Sequence, residues 1–237
     1  MRRDIILTGM QLKQFRKLKR WTQKAAAKRL RLTQGYLSLL EKGERPVTDD
    51  LTERVVQVFG LPATGLPVKK DLASLSPAAG DSLTRQLAAI GYAGFSHVKP
   101  SSRLKNPAEV LVSALDNDKL DSRVVEALPW LVSQVTEARW SEVVRAAKVK
   151  DLQNRLGFVT SLARVVAERK RESKKAAQLK RREVALAGSR LFKEDTLCAA
   201  SSLTETEKRW ILQNRTAEAE FWRVLSDLKA EHLSYAE

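Results

Sequence analysis

Residues 21–61 read WTQKAAAKRLRLTQGYLSLLEKGERPVTDDLTERVVQVFGL, and the punctuation of this stretch decides the fold of the N-terminal part. Thr22, Thr33 and Thr48 each stand ahead of a run with helical character: QKAAAKRL, QGYLSLLEK and DDLTERVVQVF. A threonine hydroxyl placed there accepts a first-turn N–H that has no carbonyl partner within the helix. Gly43 and Gly60 close the last two runs, because glycine takes the left-handed conformation that ends a helix. Upstream, Thr8-x-x-Gln11 is a capping box. It leads a helix with Leu12, Phe15 and Leu18 on one face and Lys13, Arg16, Lys17, Lys19 and Arg20 on the other. Four helices are therefore expected between residues 8 and 61. Arg31, Leu32 and the cap Thr33 leave only a short turn between the second and third. Ala26 and Leu30 point inward, and the small Ala26 lets those two helices cross closely.

Two short capped helices joined by such a turn resemble the helix-turn-helix of Cro/C1-type, lambda-repressor-like regulators. The resemblance rests on Thr22-Gln23, Ala26, Leu30, the run Thr33-x-x-Tyr36-Leu37-Ser38-x-Leu40-Glu41, Gly43, Pro46 and Leu51, and covers about a quarter of the chain. It departs at Arg31, where that family usually has glycine. A left-handed residue other than glycine costs roughly 1 kcal/mol. The resemblance implies that Gln23 braces the first residue of the recognition helix and a phosphate. It implies that Glu41 pairs with a basic residue of the first helix, such as Arg16, and is structural. It also places Thr33 among the DNA-contacting positions.

Groove reading needs a helix with one face buried and the other free for base edges. In QGYLSLLEK, Leu37 and Leu40 are inner, Gln34, Gly35, Ser38 and Leu39 are outer, and Tyr36 flanks them, as reader or as partial core. Gln34 suits a bidentate bond to adenine, Gly35 permits close approach, and Leu39 suits a thymine methyl. Lys42 and Arg45, just beyond, suit phosphates.

Lys and Arg number 43 against 28 Asp and Glu, a net charge of +15 with a pI near 10.1. Such a balance points to a polyanionic partner. The charge is not spread evenly: residues 1–60 carry +8 and residues 151–190 carry +7. The second block is densest at Arg164–Arg182, RVVAERKRESKKAAQLKRR. Three readings stay open for it: a solvated helix face, extra contact with the DNA backbone, or docking of an acidic partner, including the acidic region that begins at residue 191. It lacks the aromatics of a membrane-binding helix. The chain has one cysteine, Cys198, read as a buried structural thiol, and two histidines far apart. Neither an internal disulfide nor a Cys/His metal cluster is expected, and no cofactor is. No apolar run approaches the ~18 residues of a spanning helix, and the opening MRRDIILTGM is too poor in apolar residues for a secretory signal. A cytoplasmic protein with no membrane partner is expected.

The fold expected is all-α: an N-terminal helix-turn-helix domain of four to five helices (1–61), a Gly/Pro-rich connector (62–106) with one short helix at Asp81–Ile90, and a helical interaction and dimerisation domain (107–237) with one long basic helix. In that last domain Asn106-Pro107 starts a helix, Pro129 kinks one, and Ser141 caps another. Nothing but Gly157 interrupts residues 151–187, and Thr204-x-x-Glu207 and Thr216 open two more. Trp130, Trp140, Trp210 and Trp222 are expected in the core. The apolar stripe Leu152–Val166 is a candidate dimer interface, unless neighbouring helices of the same chain cover it.

No phosphate loop, nucleophile elbow, zinc spacing or paired carboxylates appear, so an enzyme is not expected. The leading expectation is a sequence-specific regulator of double-stranded DNA, a repressor of its own operon that binds an inverted-repeat operator as a homodimer. The alternative is an antitoxin whose C-terminal region binds a cognate toxin.

Overall fold

The computed structural model describes residues 7–68, 71–197, 203–233 and 235; Cys198 lies outside them. The architecture is all-α, with twelve α-helices among the described residues and one two-stranded pairing, Asp195–Thr196 (β1) parallel to Val224–Leu225 (β2). The chain forms two compact units, residues up to 68 together with 104–106, and residues 71–103 together with those from 107 on. Residues 62–106 are thus not a free connector but are divided between the units. Asn106 Nδ2 donates to the Leu66 carbonyl at 2.7 Å within the first. Helix Gly80–Ile90 packs into the second by burying Leu83 and Leu87.

The first unit is four helices: α1 (Gly9–Leu18), α2 (Gln23–Leu30), α3 (Gln34–Lys42) and α4 (Asp49–Phe59). All four expected caps are made: the side chains of Thr8, Thr22, Thr33 and Thr48 accept from the N–H groups of Gln11, Ala25, Tyr36 and Leu51. Leu12, Ala26, Leu30, Leu37, Leu40, Val55 and Phe59 form the core. Leu18 departs from expectation and is 78% exposed. It lies in the last turn of α1, where nothing packs over it, while Phe15 is partly buried against the core. Arg31 has φ 56° and ψ 45°, the left-handed conformation that the missing glycine implies.

The second unit adds α5 (Gly80–Ile90), α6 (Pro107–Leu115), α7 (Ser122–Gln134), α8 (Glu137–Val149), α9 (Gln153–Arg169), α10 (Ser173–Ala187), α11 (Glu205–Asn214) and α12 (Ala217–Phe221). Pro107 opens α6 as expected and Pro129 lies inside α7. Ser141 is interior to α8, which starts after Thr136 instead. The single long helix is absent. The chain turns at Lys170–Glu172, where Arg171 has φ 58°, and α10 packs back on α9. The apolar stripe does not fade at Ala167; it continues as Ala176, Leu179 and Leu186 on the returning helix.

Helix α9 is the centre of this unit and is buried along almost its whole length. The stripe Leu152–Val166 is therefore covered by α7, α8, α10, α12 and the β pair of the same chain, and is not a free dimer interface. Gly157 is not a helix breaker but a slot. A Cβ there would stand 2.3 Å from the Trp222 ring, whose Nε1 donates to Ser161 Oγ at 2.7 Å. Trp140 and Trp222 are core residues and Trp130 is half-buried, but Trp210 is 55% exposed. The Thr204–Glu207 capping box forms, whereas the helix after Thr216 ends at Phe221 and Leu225 lies in β2.

Candidate nucleic-acid interface

Helix α3 is seated by its inner face. Leu37 and Leu40 are fully buried, and Glu41 follows one turn after Leu37 on the same side. The Glu41 carboxylate takes two bonds from Arg16, Nε–Oε1 at 2.5 Å and Nη2–Oε2 at 2.8 Å. Arg16 also donates to the Trp21 carbonyl at 3.0 Å, and Gln23 Nε2 donates to Glu41 Oε2 at 3.0 Å. One carboxylate thus ties α1, the start of α2 and α3 together. Burial alone would raise the Glu41 carboxyl; hydrogen bonds from Arg16 and Gln23, with the charges of Arg16 and Lys13, outweigh it and hold Glu41 below its ordinary range. The same bond raises the Arg16 guanidinium.

A close backbone contact fixes the angle of α3. A Cβ on Gly9 would stand 1.7 Å from the Leu40 carbonyl oxygen, so only glycine lets α1 meet the last turn of α3. Sequence reasoning alone misses Gly9. Its signal is a glycine at the first position of a capped helix, where a glycine otherwise only weakens the turn.

The outer face is open. Gln34, Gly35 and Tyr36 are exposed, Ser38 and Leu39 are half-buried, and Lys42 and Arg45 are exposed. A Cβ on Gly35 would meet nothing within 4 Å, which leaves the backbone approachable there. Thr33 Oγ1 accepts the Tyr36 N–H at 3.2 Å and so caps α3. Tyr36, at 37% exposure, stands at the margin between core and outer face. Gln23 is half-buried, and its amide nitrogen is held by Glu41. Of the resemblance-derived pairings, Arg16–Glu41 is present, while Gln23 braces Glu41 rather than the first residue of α3.

Over residues 9–45 every exposed charge is basic except Glu44. Lys13, Lys17, Lys19, Arg20, Lys24, Lys28, Arg29, Arg31, Lys42 and Arg45 are all exposed. Only Lys42 has a nearby acid at the face, Glu44 at 3.7 Å, with both side chains solvated. Neither α2 nor α3 has an acidic residue in its first turn, whereas α4 opens with Asp49 and Asp50. Unneutralised N-termini attract phosphate through the helix dipole and free N–H groups. Arg29 is packed over the Trp21 ring at 4.4 Å, and Trp21 on Phe59 at 4.9 Å, so this cation also belongs to the core boundary.

A short capped helix with a buried inner face, an open outer face and a cationic surround has the geometry for groove entry. No helix among the described residues is long and apolar enough to cross a membrane. No curated protein and no solved structure matches this chain. Residues 8–67 match the family described as helix-turn-helix domain, and the N-terminal unit is thus a DNA-binding helix-turn-helix.

Proposed function

We propose that the chain is a sequence-specific transcriptional regulator of the Cro/C1 type, not an enzyme, that inserts α3 into the major groove of double-stranded DNA and represses its own operon. The observation that carries this reading is the outer face of α3: Gln34 and Gly35 are exposed at its N-terminus on a helix locked from behind by the Arg16–Glu41 pair. One such module reads too few base pairs to find a single genomic site. A homodimer on an inverted repeat supplies the rest, with half-site centres ~34–36 Å apart or a multiple of this.

The test is footprinting on the chain's own promoter with point variants. Gln34→Ala is expected to cost about 1–3 kcal/mol of specific affinity and to relax preference at one base pair. Lys42→Ala is expected to weaken specific and non-specific binding alike. An unchanged footprint and affinity for Gln34→Ala would falsify the assignment of α3.

The antitoxin reading is favoured by one observation, the exposed aromatics Phe192, Trp210 and Phe221 on the second unit. Exposed large apolar side chains are candidate contacts for a protein partner. Growth rescue on co-expression with the product of an adjacent gene separates this reading from simple repression.

A further inference from the structure

The fold sorts the basic stretch 164–182 into two populations. One is used internally. Arg164 Nε donates to Glu183 at 2.7 Å and its Nη1 to Glu168, and Lys175 lies 3.1 Å from Glu172. Arg182 is buried; it donates to Glu137 and to the carbonyls of Val132 and Val135, and its guanidinium lies 4.5 Å over the Trp140 ring. Arg169 reaches Glu231 at 3.3 Å with both ends solvated. Lys180 is 3.7 Å from Glu183, which Arg164 already holds.

The other population is Lys170, Arg171, Lys174 and Arg181. All four are exposed, and none has a carboxylate within ion-pair distance among the described residues. The acids of the stretch, Glu168 and Glu172, and Glu183 just after it are engaged by Arg164 and Lys175. Glu137 lies within electrostatic reach of Arg181, but it is hydrogen-bonded by Gln178 and Arg182. A solvated helix face usually alternates signs at i and i+4. Here the acids are spent on pairing and the outer line keeps only cations.

Their placement is regular. Lys174 and Arg181 are seven residues apart on α10, two turns along one line, about 10.5 Å on the helix axis. Along the duplex axis one DNA strand places a phosphate about every 3.4 Å, so a line of this length spans several phosphates. Between them the line exposes only Ala177, and Lys170 and Arg171 are exposed in the turn that precedes α10. We propose that this line, from Lys170 to Arg181, is a second phosphate-binding surface for duplex DNA, separate from the groove-reading face of α3. It rests on the DNA-binding reading of α3. The line carries no aromatic anchor of the kind a protein interface uses, which favours the phosphate backbone over an acidic protein.

The test uses the full chain on two probes, its promoter fragment and a mixed-sequence duplex, with affinity measured against salt. The quadruple variant Lys170→Gln, Arg171→Gln, Lys174→Gln, Arg181→Gln is expected to lower the slope of log K against log[salt], on both probes. The expected decrease is about 0.9 for each phosphate that the variant no longer neutralises. The charge-keeping variant Arg171→Lys, Lys174→Arg, Arg181→Lys is expected to hold the wild-type slope, which separates charge from fold. A wild-type slope in the quadruple variant overturns the surface and leaves it to an acidic protein. If Gln34→Ala still loses promoter discrimination in that case, the reading of α3 stands alone. Absence of binding to both probes by the wild-type chain overturns both.

Discussion

In the first unit one buried ion pair, Arg16–Glu41, joins three helices whose core is otherwise aliphatic and aromatic. In the second, α9 carries Asn154, Arg155, Thr160 and Ser161 into the interior, and each finds a partner there. Asn154 bonds the Leu191 backbone in both directions, and Arg155 reaches Asp195, Asp118 and the Leu115 carbonyl. Arg16 and Gln23 lie 25 and 18 residues from Glu41, whereas the partners of Asn154 and Arg155 lie about forty residues away. The first unit concentrates its polar interior behind α3 and so leaves the opposite face free for DNA. The second unit surrounds its central helix and exposes functional surface only on peripheral ones, such as α10. A buried polar group is worth little in itself but costs much when its partner is removed. The location of these groups therefore says where each unit is brittle.

The sharpest way to break this comparison is Arg155→Met, which keeps the stem and removes the charge. Asp195 and the Leu115 carbonyl lose the guanidinium, Asp195 keeping only the Thr196 N–H, while Asp118 is solvated enough to matter little. A loss of about 3–5 kcal/mol is expected, as for one partner of a buried pair, read by chemical denaturation. Hydrogen exchange should show reduced protection across α7–α10 with α1–α4 still protected. An equal loss in both units would mean a single cooperative core and end the contrast.

Glu41→Gln tests the first unit in the same way, with an expected cost of about 3 kcal/mol, the low end because Arg16 keeps some contact with water. Its pH dependence has a definite sign. The Glu41 carboxyl is held below its ordinary value of 4.5 in the folded state, so its contribution is complete above that pH. The contribution is lost as pH falls through the lowered value. The gap between wild type and Glu41→Gln should therefore be widest near neutrality and should close in acid. A gap independent of pH would assign the cost to shape rather than charge.

The same contrast explains what is legible in the sequence. Helix starts are, because a threonine cap and its N–H partner lie three residues apart: Thr8, Thr22, Thr33, Thr48, Thr204 and Thr216 all cap as expected. The inner and outer faces of α3 follow from its period. Helix ends are legible only where glycine marks them. Four junctions instead put a non-glycine residue in the left-handed conformation, Arg20, Arg31, Asp151 and Arg171. Each is followed by a six-to-one bond, from Trp21 to Arg16, Leu32 to Ala27, Leu152 to Ala147 and Glu172 to Ala167. No breaker marks Arg171, so α9 and α10 read as one helix. Gly157 reads as a breaker because its reason, the Trp222 ring, is 65 residues away in sequence. The family pattern assigns Gln23 to the DNA side, and only the fold shows that its nitrogen turns to Glu41.

These shared junctions allow one last and smallest test, Arg31→Gly. Arg31 holds φ 56° and ψ 45° and is exposed, with no carboxylate in ion-pair range among the described residues. Its left-handed backbone costs roughly 1–2 kcal/mol that glycine avoids. Glycine gives back about 0.5–1 kcal/mol through its greater freedom when unfolded. The net expectation is a gain of up to about 1.5 kcal/mol in the first unit, visible as a higher melting temperature. Arg171→Gly should bring a similar gain in the second unit, and the two should add if the units are energetically separate. They should differ on DNA, because Arg171 lies on the proposed phosphate line of α10 and its removal should lower the salt slope. If Arg31→Gly destabilises instead, the arginine stem is contributing packing that outweighs backbone strain. The left-handed arginines would then be part of how these helices are joined rather than a tolerated cost.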